Sequence, residues 1–223
     1  MDIIRELLNA LWEQDYATLA DPSLARAIYI LLFLILFLEN GVLPAAFLPG
    51  DSLLILVGVL IAREAMNFPV TLIVLTIASS LGSWVGYLQG RWLGNTQMIQ
   101  GWLSHLPGNY HERAHQLFHR HGLSALLIGR FLAFVRTLLP TLAGISGLNN
   151  SRFQLFNILS ALLWVLILTS LGFTLGKTNI FLKYQDQLML LLILLPVVLL
   201  VLGLISSMYF FWQKKLARKN KSK

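Results

Sequence analysis

The sequence has no cysteine and few charged residues. Without cysteine, its 223 residues can form no disulfide framework and carry out no thiol chemistry. Charged residues make up only 12% of the chain, against about 25% in soluble domains. Hydrophobic residues make up 57%, and the mean hydropathy is +0.70. This composition excludes an ordinary soluble domain and predicts an all-α polytopic membrane protein.

Positive charge is concentrated at the C-terminal end. Six basic residues follow the last apolar stretch with no acidic residue among them, namely Lys214, Lys215, Arg218, Lys219, Lys221 and Lys223. Basic clusters beside a transmembrane helix orient that helix and contact anionic headgroups, so we favour a membrane role and expect no nucleic-acid binding. The positive-inside rule then predicts a basic cytoplasmic tail at residues 213–223.

Six apolar stretches follow an N-terminal amphipathic segment at residues 1–23. Because about 20 apolar residues cross a bilayer core as a helix, four stretches predict full transmembrane helices, at residues 24–38, 70–90, 153–176 and 188–212. Glycines at 82, 86 and 90 predict close helix packing. The other two stretches, at about 40–62 and 123–148, contain expected helix breaks at Pro44, Pro49, Gly50, Pro140 and Gly144.

The distribution of charge predicts that both interrupted stretches enter the membrane and return to the same side. If residues 123–148 crossed completely, the basic and histidine-rich segment 91–122 would lie outside. The predicted fold is a single membrane domain at residues 24–212. It has two oppositely oriented re-entrant broken helices, about four transmembrane helices, amphipathic surface helices and both termini in the cytoplasm. Such inverted repeats are typical of secondary transporters.

Four ionisable residues accompany the interrupted stretches: Glu39 and Asp51 at the first, Arg130 and Arg136 at the second. A lone charge at membrane depth costs roughly 2.5–3.5 kcal/mol, and such residues commonly mark transport pathways. The alternative is a set of ion pairs that fixes helix register. Because buried pairs do not reliably stabilise a fold, we favour a transport site.

Several short motifs occur in a characteristic order. They are Phe-Leu-Pro-Gly-Asp at 47–51, the glycine-spaced run at 82–91, His121-Gly122, Gly129-Arg130-Phe131, Arg136-Thr137, Pro140, Ala143-Gly144 and Arg152-Phe153. In these motifs the chain resembles the DedA family of membrane proteins, also called the SNARE-associated or VTT group, over residues 39–176. Ala133 stands where family members often have proline.

The resemblance implies a bacterial inner-membrane protein that moves lipid headgroups across the bilayer. It implies undecaprenyl phosphate or phospholipids as substrates, dependence on the proton-motive force, and support of envelope integrity and cell division. No cofactor and no enzymatic activity are expected.

The four charged residues have complementary chemistry for such a substrate. Guanidinium groups bind phosphate in a bidentate fork, so Arg130 and Arg136 are the predicted substrate-binding residues. Glu39 and Asp51 are the predicted proton carriers, which would take up protons when phosphate occupies the arginines. Helix N-termini expected after Pro49-Gly50 and after Pro140 would add positive dipole ends.

Two other functions remain open. In a proton-coupled exporter of cations or amphipathic drugs, the carboxylates would bind the substrate. In a non-transporting scaffold for envelope proteins, none of the four charges would be needed. Trp84, Trp92, Trp102 and Trp164 are interpreted as interfacial or packing aromatics.

One motif suggests a different chemistry. His111-Glu112-Arg113-Ala114-His115 matches the zinc-protease pattern H-E-x-x-H, with His121 in the third ligand position. Phe118, however, stands where the longer pattern has glycine, and no acidic third ligand occurs between Glu112 and Asp186. We expect an amphipathic cytoplasmic helix and no metal, with pH sensing by segment 105–121 as the alternative.

Overall fold

The computed structural model describes residues 9–10, 15–42, 50–93 and 124–179, and a few single positions up to residue 198. Regular structure in these ranges is helical, with no strand. The helices are α1 (Tyr16–Leu19), α2 (Pro22–Gly41), α3 (Gly50–Ala62), α4 (Phe68–Leu93), α5 (Ser124–Gly129), α6 (Ala133–Ile145) and α7 (Asn150–Lys177). The all-helical part of the predicted fold class is therefore confirmed.

Three helices, α2, α4 and α7, are long and apolar enough to cross a membrane. They contain 20, 26 and 28 residues, which at 1.5 Å per residue give lengths of about 30–42 Å. They correspond to the predicted spans at 24–38, 70–90 and 153–176. The fourth predicted span, at 188–212, lies almost entirely outside the described residues, as do segments 1–8 and 213–223.

Side-chain caps fix the starts of two long helices. The Asp21 carboxylate accepts a hydrogen bond from the amide of Ser23, at 2.8 Å, and Pro22 occupies the first helical position of α2. The Asn149 side chain accepts a hydrogen bond from the amide of Ser151, at 2.9 Å, and so begins α7. These caps satisfy amides that have no partner within the helix.

The helices α3 and α6 are short, with 13 residues each, or about 20 Å. This length is less than the roughly 30 Å thickness of a bilayer core. Helix α3 begins at Gly50, where the sequence predicts a helix start. Whether the two short helices enter and leave on the same side stays a prediction.

The expected helix start after Pro140 is wrong. Helix α6 begins at Ala133 and continues through Pro140 and Gly144 to Ile145, whereas the chain turns at residues 130–132, between α5 and α6. Proline removes a single amide donor from the helical ladder, and α6 packs closely on α4 at Pro140, Thr141 and Gly144. Packing therefore holds the helix together where local sequence favours a break.

Each of the two short helices packs mainly on a different long helix. Helix α3 packs mainly on α7, and α6 packs mainly on α4, while α2 also packs on α4. Glycines permit these close approaches: a Cβ on Gly58 would overlap the Thr169 carbonyl of α7, and a Cβ on Gly90 would overlap the Thr141 carbonyl of α6. The prediction of close packing is confirmed at Gly82 and Gly90 of α4, whereas a Cβ on Gly86 would meet only ordinary contacts.

Two apolar clusters lie on either side of a buried polar part of α7. The larger one joins α2, α3, α4 and α7 and includes Trp164. The smaller one is centred on Tyr87 and Phe153, whose rings stack with 4.5 Å between centroids. Between Phe153 and Trp164, helix α7 carries the buried polar residues Asn157 and Ser160. Asn157 and Ser160 thus lie on α7 between the residues that this helix contributes to the two clusters.

We expect Gly90→Ala to destabilise the protein and Gly86→Ala to leave it unchanged or slightly more stable. The first substitution forces a methyl group into the backbone of α6, which costs about 1–3 kcal/mol. The second meets only ordinary contacts, the nearest at 3.6 Å, and gains helix propensity of up to about 1 kcal/mol. Thermal unfolding in detergent measures both variants. Equal effects of the two substitutions would contradict this account of the α4–α6 contact.

Candidate functional site

Four elements bring the predicted site residues together. Glu39 lies in the last turn of α2, Asp51 is the second residue of α3, and Arg136 lies in the first turn of α6. Arg130 lies in the turn between α5 and α6. Trp164, in the middle of α7, lies against both arginines. Residues from both halves of the sequence therefore meet at one point in the protein.

Arg136 binds both carboxylates. Its Nη2 donates to Glu39 Oε1, and its Nη1 donates to Asp51 Oδ1 at 2.6 Å. The side chains of Arg136 and Glu39 are 3% and 0% exposed, whereas that of Asp51 is 44% exposed. The sequence left open whether the carboxylates pair with the arginines, and the structure gives one arginine both of them. Asp51 is the most exposed of these three side chains.

The start of α3 also contributes to the binding of Glu39. A Cβ on Gly50 would overlap the Glu39 carboxylate, so only glycine allows this carboxylate to lie against the first residue of α3. Backbone amides at a helix N-terminus and the helix dipole both favour a negative charge. Gly50, predicted only as a helix break, therefore also makes room for a buried carboxylate.

Trp164 connects the charged residues. Its indole Nε1 donates to Asp51 Oδ1 at 3.0 Å. The guanidinium carbons of Arg136 and Arg130 lie 4.7 Å and 5.7 Å from the centre of its ring, within the range of cation–π attraction. The sequence indicated only an interfacial or packing function for Trp164, and these contacts did not follow from it. Its signal was weak, because an indole in an apolar span is usually a packing residue.

Arg130 has quite different surroundings, although it too is buried. Its Nη1 donates to Asn157 Oδ1 at 3.1 Å and to Ser160 Oγ at 3.2 Å, and its Nη2 donates to Ser79 Oγ. Within the described part of the chain, no carboxylate lies within 4 Å of Arg130. These three neutral partners were not predicted from the sequence. The signal that could have found them was an asparagine inside an otherwise apolar span.

A small cavity lies between the two arginines. Arg130, Arg136, Asn157 and Ser160 line it together with apolar side chains that include Leu126 and Leu139. Its volume is 10 Å³, which is room for about one water molecule. A phosphate group does not fit into this volume. Binding of a phosphate group beside the two arginines therefore requires the walls of this cavity to move.

The cluster is electrically balanced. When Glu39, Asp51, Arg130 and Arg136 are all ionised, two negative and two positive charges sum to zero. Among the described residues no group of histidine and carboxylate side chains is placed to hold a metal ion. The H-E-x-x-H motif and segment 105–121 lie outside those residues, so the expectations of no metal and of pH sensing stay untested.

We expect Arg136→Leu to destabilise the protein by about 3–5 kcal/mol, because it leaves the buried Glu39 carboxylate without its counter-ion. Adding Glu39→Gln should restore much of that loss, since the remaining buried group is then neutral. Thermal unfolding of the two single variants and the double variant in detergent gives the coupling between the residues. Arg26→Leu, at an exposed position of α2, is the matched control. Additive effects of the two substitutions would contradict a direct pair.

Comparison with known proteins gives consistent results. Residues 48–174, more than half the chain, match the family model for the VTT domain. Inner membrane protein YqjA of Escherichia coli K12 is 69% identical over 215 residues, which cover 96% of this chain and 98% of that protein. Inner membrane protein YghB of the same organism is 55% identical with the same coverage. Protein DedA, also of Escherichia coli K12, is 34% identical over 80% of this chain and 81% of that protein.

No solved structure shows significant similarity to the chain. The match to the VTT domain and the near full-length similarity to these relatives agree with the motifs around Gly50, Arg130 and Arg136. The chain belongs to the DedA family, whose members share the VTT domain.

Proposed function

We propose that the protein moves a phosphate-bearing lipid, undecaprenyl phosphate or a phospholipid, across the bacterial inner membrane together with protons, driven by the proton-motive force. The observation that carries the proposal is the buried cluster in which one arginine holds two carboxylates beside a second arginine with neutral partners. The inner-membrane location rests on the apolar helices and on the names of the relatives.

The arginines supply the affinity for phosphate. Guanidinium keeps its charge under all physiological conditions, and its planar fork matches two phosphate oxygens. The Nε atoms of Arg130 and Arg136 are buried, and no described residue accepts a hydrogen bond from either. Both arginines line the same cavity, so a phosphate that widens the cavity can contact both. Its lipid tail would remain among the apolar side chains around the site.

Charge balance connects phosphate binding with protons. A phosphate monoester brings about one to two negative charges into a cluster whose formal charge is zero. Uptake of one or two protons by Glu39 and Asp51 would restore neutrality. Asp51 is 44% exposed and is the natural entry point for the proton, whereas Glu39 is fully buried. Departure of the phosphate returns Arg136 to the carboxylates, which favours their charged form and releases the protons.

The packing of the short helices supports an alternating mechanism. Helices α3 and α6 each pack on the long helix from the other half of the chain, and both begin near the charged cluster. We propose that they are the opposed re-entrant elements of an inverted repeat, with both chain termini in the cytoplasm. In such transporters the binding site lies between the repeats, near the middle of the membrane.

Proton-coupled export of a cation is the second candidate. The observation that favours it is the exposure of Asp51, which a cationic substrate could reach without passing Arg136. Such a substrate would compete with Arg136 for the carboxylates, and Arg130 would then have no direct part in binding. The requirement for Arg130 therefore separates the two candidates.

The test is transbilayer movement in liposomes that contain the purified protein. Labelled undecaprenyl phosphate and labelled phospholipid are followed with and without a pH gradient. We expect Arg130→Ala to lower the rate by tenfold or more, about 1.4 kcal/mol, because phosphate loses a charged partner. Glu39→Gln should abolish the dependence on the pH gradient. Arg26→Ala, with an exposed arginine on α2, is the control and should behave as the wild type.

Three outcomes would contradict parts of the proposal. Folded wild-type protein that moves neither lipid faster than empty liposomes would reject lipid translocation. Unchanged gradient dependence in both Glu39→Gln and Asp51→Asn would reject proton coupling through these carboxylates. Lipid movement that survives Arg130→Ala but not Asp51→Asn would favour the cation exporter.

A further inference from the structure

The two arginines of the site are held by different kinds of partner. Arg136 has two carboxylates, so its charge is already compensated. Arg130 is contacted by an amide oxygen and two hydroxyl groups, each of which is neutral. A buried guanidinium with neutral partners keeps a strong positive field, and an anion can still bind it without displacing another negative charge.

The neutral partners are themselves fixed by hydrogen bonds. Asn157 Nδ2 donates to the Ser80 carbonyl at 2.8 Å, which turns the amide oxygen toward Arg130. Ser160 Oγ donates to the Asn157 carbonyl at 3.0 Å, which leaves its lone pairs for Arg130. Both side chains are at most 2% exposed, and Ser79 is fully buried. The orientation of these groups is therefore set before any ligand binds.

Arg130 lines a cavity and has one donor group that no described residue uses. Its Nε is buried, and none of the described residues accepts a hydrogen bond from it. The cavity that holds about one water molecule is lined by Arg130, Asn157 and Ser160 on its polar side. Leu126 and Leu139 are apolar side chains that would have to move before a phosphoryl group could enter.

We infer that Ser79, Asn157 and Ser160 form a neutral cradle that positions Arg130 as the primary anion site, and that Asn157 decides whether an anion can bind. This inference rests on the proposed function and assigns it three further positioning residues. The ligand chemistry is a phosphoryl group, from a lipid headgroup or from free phosphate. On binding, phosphoryl oxygens take the place of the amide and hydroxyl oxygens as acceptors for Arg130, and Arg136 remains the partner of the carboxylates until protons arrive.

Asn157→Asp tests the cradle with an almost isosteric change. The new carboxylate lies at hydrogen-bond distance from Arg130 and compensates its charge permanently, since charge-assisted bonds are about twice as strong as neutral ones. We expect phosphoryl binding to weaken by about tenfold or more, while the protein remains folded, because the new ion pair with Arg130 offsets the loss of the hydrogen bond that the Asn157 amide donates to the Ser80 carbonyl. A residue with only a structural function would lower stability without this selective loss of binding.

The measurement is the rise in the thermal unfolding midpoint of the full-length protein in detergent, because a ligand that binds the folded state stabilises it. Inorganic phosphate and dihexanoyl phosphatidic acid are titrated separately, so that a response to the second alone identifies a lipid headgroup as the preferred source. Asn149→Asp, at the N-cap of the same helix, is the control, since aspartate caps a helix as well as asparagine. It should retain the wild-type response.

The outcomes separate this inference from the proposed function. An Asn157→Asp protein that binds both probes as the wild type does would overturn the cradle, and so would a wild-type protein that responds to neither probe. Wild-type binding without lipid movement in liposomes would reject translocation and leave the anion site standing. If Asn157→Asp fails to fold, Ser160→Ala is measured instead: it removes one neutral acceptor, and an unchanged midpoint shift in that variant would overturn the inference.

Discussion

The buried contact between Arg136 and two carboxylates is the interaction on which the arrangement of the helices depends. It joins the end of α2, the start of α3 and the start of α6 at one place. Removing Arg136 and Glu39 from water is costly, and their mutual attraction offsets that cost only when the geometry is good. The close approach of Glu39 to Gly50 and the hydrogen bond from Trp164 to Asp51 supply further favourable contacts. The site and the helix packing are therefore one structural unit.

The two arginines differ in how their charge is compensated, although the sequence presents them as a pair. Arg136 is bound by its counter-ions, whereas Arg130 is bound by neutral oxygens. Trp164 lies against both guanidinium groups and bonds one of the carboxylates. A displacement of Arg136 would therefore affect Asp51 in two ways: directly, through their ion pair, and indirectly, through the indole of Trp164. This coupling gives the cluster two distinguishable cations, one for ion-pair exchange and one for anion binding.

Each short helix packs on the long helix from the other half of the chain, and this arrangement limits how the protein can move. Helix α3 packs against α7, and α6 packs against α4. The glycine contacts leave no space for a methyl group at Gly58 or Gly90. Because such tightly packed contacts deform little, two helices joined by them are expected to move together as a rigid body. Each short helix is therefore expected to move with the long helix of the other half. The charged cluster lies where those two units meet.

The sequence by itself determined the class of protein, the three long helices within the described ranges, the start of α3 at Gly50 and the identity of the four charged residues. These features depend on hydropathy, on local breakers and on the cost of charge in an apolar stretch, all of which are local properties. The re-entrant topology and the fourth span stay predictions from the same kind of pattern.

Only the tertiary structure decided that Arg136 takes both carboxylates, that Arg130 takes Ser79, Asn157 and Ser160, and that α6 runs through Pro140. The residues concerned are far apart in the chain: Arg136 and Glu39 are separated by 97 positions, and Trp164 and Asp51 by 113. No local pattern specifies which of two arginines a distant carboxylate will meet, because that choice depends on how the helices cross. Packing along α4 likewise outweighed the local tendency of proline to end a helix.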